Sequence, residues 1–114
     1  MDVFAAVADP TRRKVLDLLR TGERAAGDLS RAFPHLSQPA MSQHLKVLRE
    51  TGLVRVRPEL QKRIYSLDPG GFAELDAWLG RYRAFWELNL GALERHLDHQ
   101  HGRRASRPKR RNDG

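Results

Sequence analysis

The segment from Ser37 to Gly52 constrains this chain most, because both its ends are marked. Ser37 offers a hydroxyl to a free backbone N–H, and Pro39 fits a first helical turn, where its missing donor costs nothing. Gly52 supplies the left-handed residue common just past a helix C-terminus. The punctuation predicts a helix from Gln38 to Glu50, ending by Thr51. With Met41 as zero on a wheel at about 100° per residue, Leu45 and Leu48 fall within about 40° of it, a narrow apolar stripe. Pro39, Gln43, Lys46 and Glu50 lie opposite, Ser42 and Val47 flank them, and His44 sits near the edge of the stripe. Such a helix has to be held on a core built by other elements, with its broad polar face turned outward.

The rest of the 114-residue chain supplies those elements. A short helix is predicted over Val3 to Ala8, with Phe4 and Val7 on one side. Asp9-Pro10 is a cap-plus-proline start for a second helix carrying Val15, Leu16 and Leu19, which Thr21-Gly22 ends. A third helix from Ala26 to Phe33 buries Leu29 and Phe33, and Pro34 stops it. Its start, Arg24-Ala25-Ala26-Gly27, lacks a capping oxygen, so a frayed end costing about 1 kcal/mol is expected. Leu53 to Arg57 and Arg63 to Leu67 are β-prone runs of alternating character joined by Pro58 to Lys62, a β-hairpin. Asp68-Pro69 repeats the start signal for a last helix, which Gly70-Gly71 should delay and which runs to about His99, roughly 45 Å at 1.5 Å per residue. The order α-α-α-α-β-β-α is mainly α with a small β-hairpin, the winged helix-turn-helix arrangement. It is expected to form one domain over residues 1–100, followed by a disordered basic tail over 101–114.

Net charge says less than it first promises. The chain has 21 Lys and Arg against 14 Asp and Glu, a formal +7. Arg103, Arg104, Arg107, Lys109, Arg110 and Arg111, against the single acid Asp113, place most of that excess in the tail, where it either solubilises or makes non-specific phosphate contacts. A polyanionic partner is therefore indicated by pattern and not by net charge.

Composition excludes more than it assigns. With no cysteine, disulfides, thiolate metal sites and cysteine nucleophiles are impossible. No apolar run approaches the roughly 18–20 residues of a membrane span, and MDVFAAVADP lacks a basic region followed by a hydrophobic stretch, so a cytoplasmic, membrane-free protein is expected. Glu74 and Asp76 are two apart on a helix and face different ways, and neither a glycine-rich phosphate loop nor a Ser-His-Asp set is present, so no enzyme and no cofactor are expected. His96, Asp98, His99 and His101 gather at the end of the last helix. His96 and His99 share a face, which leaves a zinc site completed by a partner chain open, beside the simpler reading of solvated histidines.

The outward face of the Gln38 helix is suited to a DNA major groove. Gln38, Ser42 and Gln43 offer amide and hydroxyl groups for base edges, Lys46 a cation for phosphate or guanine, and Pro39 and His44 stand beside them. Any solvent-facing helix can carry such residues. Here a hairpin bearing Lys62 and Arg63, with Arg55 and Arg57 on its first strand, adds cations where the DNA backbone would run. On the last helix Leu75, Trp78, Leu79, Tyr82, Phe85, Trp86, Leu90, Leu93 and Leu97 recur at three and four. Leu75 and Leu79 can pack on their own core. From Trp78 onward the aromatic load, with Phe4 and Val7, predicts a two-fold dimer interface, and hence two recognition helices about one DNA turn apart.

The stretches VADPTRRKVLDLL, LSQPAMSQHLKVLRETGLV and KRIYSLDP resemble the ArsR/SmtB family of bacterial winged-helix repressors, over about residues 2–98. The resemblance implies a homodimer that pairs through its terminal helices, binds an inverted-repeat operator and blocks transcription, often of its own operon. By position it places Gln38, Pro39, Ser42 and Gln43 in the major groove. Many relatives sense metals through a cysteine motif on the third helix or a carboxylate and imidazole set on the last. The first is absent here and the second has no matching placement, which points to a subgroup without the cysteine motif and leaves the effector unspecified. Two further readings stay open: a winged-helix module acting mainly on protein partners, and a zinc-responsive repressor.

Overall fold

Each early helix begins where an acidic side chain can close it. The computed structural model describes residues 1–89, and in it α1 (Val3–Ala8) is capped by Asp2, whose Oδ1 accepts from the Ala5 N–H at 2.9 Å. Asp9 caps α2 (Pro10–Arg20) in the same way, accepting from the Arg12 N–H at 3.0 Å with Pro10 in the first turn. Gly22, at φ 145°, lets the chain reverse after α2. Next come α3 (Ala26–Ala32) and α4 (Gln38–Glu50), the latter capped by Ser37, whose Oγ accepts from the Ala40 N–H at 3.2 Å. Gly52 follows at φ 81°.

The β-structure is larger than the expected hairpin. Three strands, β1 (Arg24–Ala25), β2 (Val54–Glu59) and β3 (Lys62–Leu67), form an antiparallel sheet in the order β1-β3-β2. Arg24 pairs with Tyr65 and Ala25 with Ile64. This corrects the expected frayed start of α3. Ala25 makes no side-chain cap, but the residues leading into the helix are held by the sheet instead. The hairpin is also tighter than predicted. Glu59 faces Lys62, leaving only Leu60-Gln61 as the turn, and Leu60 adopts φ 58° with 96% of its surface exposed.

Helices and sheet share one core. Val3 and Ala6 of α1, Val15, Leu16 and Leu19 of α2, and Leu29 and Phe33 from α3 and its C-cap meet the inward seam of α4, Met41, Leu45 and Leu48. Leu53, Val54 and Tyr65 close it from the sheet side. Val47, expected to flank the polar face of α4, is buried in the same cluster, so the apolar arc of that helix is wider than the three-residue stripe.

The last helix departs most from expectation. Its first part, α5 (Pro69–Gly80), starts at Pro69 without delay. Gly71 explains why the glycines belong inside it. Its N–H donates to the Gly52 carbonyl at 2.8 Å, and a Cβ there would lie 2.7 Å from that oxygen and 2.8 Å from its carbon. Only glycine lets α5 approach the α4–β2 turn so closely. The chain then turns at residues 81–82 and is helical again over 83–89, so one continuous helix to His99 is not what forms. Residues 1–78 make one compact unit and the chain from Leu79 belongs to a second.

Two predictions follow from this framework. Gly71→Ala forces backbone apart and should lower unfolding stability by about 1–3 kcal/mol, whereas Gly80→Ala, whose added methyl meets nothing within 4 Å, should leave the denaturant midpoint unchanged or raised. Equal midpoints for the two variants would refute the close packing. The second concerns Asp9, whose carboxyl is held below its ordinary value first by the Arg12 backbone N–H, against the opposing effect of burial, and further by the charge of Arg12. A depressed folded value makes its contribution present above the unfolded pKa, about 3.9, and lost as pH falls through the lower folded value. Asp9→Ala should therefore cost about 1 kcal/mol at neutral pH. The gap from wild type should shrink below about pH 4. A gap constant from pH 7 to 2 would remove the ionised cap from the account.

Candidate nucleic-acid interface

A short turn, closed by the Leu36 N–H on the Phe33 carbonyl at 3.0 Å, delivers the chain from α3 to α4. Burial of Met41, Leu45, Val47 and Leu48 then sets the rotation of α4 about its own axis. Gln38, Pro39, Ser42, Gln43 and Lys46 are all exposed on the remaining arc, as the sequence predicts. Gln38 is partly committed: Ser30 Oγ donates to its Oε1 at 3.0 Å, which ties α4 to α3 and leaves the carboxamide NH2 as the group on offer.

His44 is drawn inward rather than displayed. It is half-buried, and its Nδ1 lies 3.3 Å from Arg12 Nη1. Arginine can only donate, so Nδ1 is the acceptor and the neutral ring carries its proton on Nε2. The same guanidinium donates from Nε to the Ala6 carbonyl at 2.8 Å and from Nη2 to the Ala5 carbonyl at 3.3 Å. Arg12 thus ties the end of α1 to the flank of α4, and the Nε2–H is what His44 retains for any other partner.

On the wing, Lys62 and Arg63 are exposed next to the tip, and neither joins an ion pair among the described residues. Arg55 stands 3.9 Å from Asp68, with more than half of its side chain exposed. Arg57 corrects the expectation of a free cation. Its Nη2 meets Glu23 Oε1 at 2.7 Å and its Nη1 meets Glu59 Oε1 at 2.6 Å, and the hydrogen bonds to Glu59 and then Glu23 raise its already high pKa. Arg57 therefore fastens the wing to the loop before β1, its charge already matched by two carboxylates.

Arg49 escaped the sequence reading. It is half-buried on the flank of α4 and lines a cleft of about 380 Å³ between α3, α4 and β3, together with Ser30, Gln38, Ser42, Lys46 and Arg63. The helical wheel held the signal, since Arg49 lies beside Ser42, almost two turns further on.

At the other end of the fold, Phe4 packs edge-on to Trp78, with ring centroids 5.5 Å apart at 73°. Phe4 and Val7 are partly buried against the core. Trp78, Leu79, Tyr82, Phe85 and Leu88 are exposed, Phe85 by 67%, and Trp86 is half-buried. Leu90, Leu93, Leu97 and the cluster His96, Asp98, His99 and His101 lie outside the described residues. Among those described, no group of three or more His, Asp or Glu is placed to hold a metal ion, and no helix is long and apolar enough to cross a membrane.

Comparison with known proteins bears on the family and fold. Residues 9–56, spanning α2 to the first strand of the wing, match the model of the bacterial regulatory protein, arsR family. The chain is 43% identical over 95 residues to the HTH-type transcriptional regulator Rv2034 of Mycobacterium tuberculosis, covering 83% of this chain and 85% of that protein. It is 37% identical to the transcriptional repressor SdpR of Bacillus subtilis, covering 68% of this chain and 86% of the repressor. The solution structure of the homodimeric winged helix-turn-helix DNA-binding domain Mb0332 of Mycobacterium bovis superposes with a TM-score of 0.57 at 30% identity, over 72% of this chain and 75% of that one. With its capped α4, basic wing and three-stranded sheet in the same frame, the chain belongs to the ArsR family of bacterial winged helix-turn-helix transcription regulators.

Proposed function

We propose that the protein is a homodimeric repressor that binds an inverted-repeat operator, one α4 in each half-site, and blocks transcription by occupying it. The observation that carries this reading is the pairing of an outward arc on α4, Gln38, Pro39, Ser42, Gln43 and Lys46, with a wing whose Lys62 and Arg63 join no ion pair among the described residues. A helix held by a buried seam keeps its polar arc at one orientation, which base readout requires. Ser42, Gln43 and the Gln38 NH2 take base edges; Lys46 takes phosphate or guanine. Lys62, Arg63 and Arg55 take the backbone.

Dimerisation uses Phe4, Val7, Trp78, Tyr82, Phe85 and Trp86, extended by Leu90, Leu93 and Leu97. Exposed aromatics at three- and four-residue spacing are the composition of a buried subunit contact. The names of SdpR, a repressor, and of Mb0332, a homodimer, agree with this reading. The protein acts in the cytoplasm without metal or catalytic chemistry.

Footprinting on the DNA upstream of its own coding sequence should reveal protection with two-fold symmetry. Gln43→Glu combined with Lys46→Glu should lower operator affinity at least about a hundredfold, since a good base contact contributes roughly 1–3 kcal/mol and a phosphate contact is reversed in sign as well. The dimer should persist. Phe85→Asp should sediment as a monomer in analytical ultracentrifugation and bind the operator weakly. Undiminished operator affinity in the double variant would sink the α4 assignment, and a stable Phe85→Asp dimer would sink the interface.

A further inference from the structure

The cleft between α3, α4 and β3 is lined by cations and apolar groups without a carboxylate. Lys46, Arg49 and Arg63 converge on it, and no Asp or Glu is among the residues that line it. None of these three cations enters an ion pair among the described residues, although Arg31, Arg55 and Arg57 all do. The one carboxamide oxygen in the wall, that of Gln38, is occupied by the Ser30 hydroxyl. What remains available is three cations and hydroxyls that can donate, with no carboxylate to oppose them.

Tyr65 adds an independent observation. It lines the same cleft and is only 4% exposed, yet its hydroxyl has no hydrogen-bond partner among the described residues. Buried hydroxyls are nearly always bonded, and one left over at the wall of a cleft signals a partner that enters it. Nothing in the sheet pairing of Tyr65 with Arg24 and Val56 uses the phenol, because those bonds are made by backbone.

We infer that this cleft is a phosphate-binding site. The partner must accept from several directions at once and carry negative charge, which a tetrahedral phosphate does with oxygens matched to arginine forks and a phenolic O–H. A volume of about 380 Å³ is more than a bare ion requires and admits a phosphate with part of its ester. Two sources share this chemistry. The first is a phosphodiester of bound DNA, which rests on the reading of α4 given above: Gln38, Ser42 and Lys46 stand both on its outward arc and in the cleft wall, while Arg63 belongs to the wing. The second is a free phosphate ester. In either case Arg49 and Tyr65, outside the base-reading set, become phosphate contacts.

The experiment uses the full chain in two arms. In the first, operator duplex and a random-sequence duplex are titrated across a salt series with wild type, Arg49→Gln and the near-isosteric Tyr65→Phe. A DNA phosphate in the cleft predicts that Arg49→Gln weakens both duplexes by the same factor, about tenfold, and lowers the slope of log affinity against log salt by about one. Tyr65→Phe should weaken both by a smaller common factor without losing thermal stability, since its hydroxyl has no protein partner to lose. In the second arm, inorganic phosphate is titrated without DNA at constant ionic strength, followed by NMR of the arginine Nε–H signals. A free-ester site predicts saturable shifts of Arg49 and Arg63 that Tyr65→Phe weakens, with duplex affinities unaltered by either substitution.

The proposal is overturned if phosphate produces no saturable shift and both variants bind duplexes as wild type does. It is also overturned if Arg49→Gln weakens the operator alone, which would make Arg49 a base reader. Failure of the repressor reading looks different: wild type would then show no preference for upstream DNA, while phosphate contacts would still register on the random duplex.

Discussion

Everything this fold presents to its surroundings depends on how α4 is seated. Met41, Leu45 and Leu48, with Val47 at the edge, are buried against side chains from the three preceding helices and the sheet. Fully burying a side chain of this kind contributes about 1.5–3 kcal/mol. Turning the helix by one residue, about 100°, would exchange such residues for Ser42 or Lys46 in the core and expose apolar surface instead. The seam therefore decides which residues face outward, and Ser37 and Gly52 decide where along its length the helix begins and ends.

The seat itself is closed by backbone contacts that no hydrophobic pattern describes. A two-stranded hairpin is marginal alone. Here β3 also pairs with the Arg24-Ala25 strand, so the wing is continuous with the residues that launch α3. Arg57 of β2 adds a second link, holding Glu59 on its own strand and reaching past the central β3 to Glu23 beside β1. These exposed ion pairs contribute little to stability, on the order of 0–1 kcal/mol each. Their consequence is positional, since the wing's angle to α3 and α4 follows from them. On the opposite side, the Gly52–Gly71 contact brings the start of α5 onto the turn that follows α4. The α4 helix is thus framed by a strand pairing on one side and a glycine contact on the other.

Legibility in the sequence tracked the range of the interaction. Caps and helix ends act within about four residues, and Asp9, Ser37 and Gly52 were readable for that reason. The apolar periodicity of α4 was readable because it repeats. A two-residue strand offers no period, so β1 was invisible until Tyr65 and Ile64 were placed beside it. Arg57 looked like a free cation because one partner, Glu23, lies 34 residues away, and the other, Glu59 two residues on, gives no periodic signal. Gly70-Gly71 looked like a delay in the last helix, whereas Gly71 answers to a close approach made by a distant turn. The break after Gly80 falls within a stripe whose periodicity runs on, so the apolar pattern alone could not show it. Tyr65 read as a strand aromatic, and its solitary hydroxyl emerges only from the packing around it.

The treatment of positive charge ties these strands together. Outside the tail the chain is close to neutral, so a general electrostatic attraction to DNA is weak over the folded part. The fold compensates by sorting its cations. Arg31, Arg55 and Arg57 are placed against carboxylates, Arg31 within α3 and the other two between strands and loops. Lys46, Arg49, Lys62 and Arg63 are kept out of such pairs among the described residues, and they fall on one flank of α4 and on the adjoining wing. Charges left uncompensated over so small an area produce a local field that a net count hides, and an ion screens it only beyond roughly 8–10 Å at ordinary salt. A winged helix of nearly neutral composition can in this way present a cationic surface where the DNA backbone would lie, so that affinity and register come from the same few side chains.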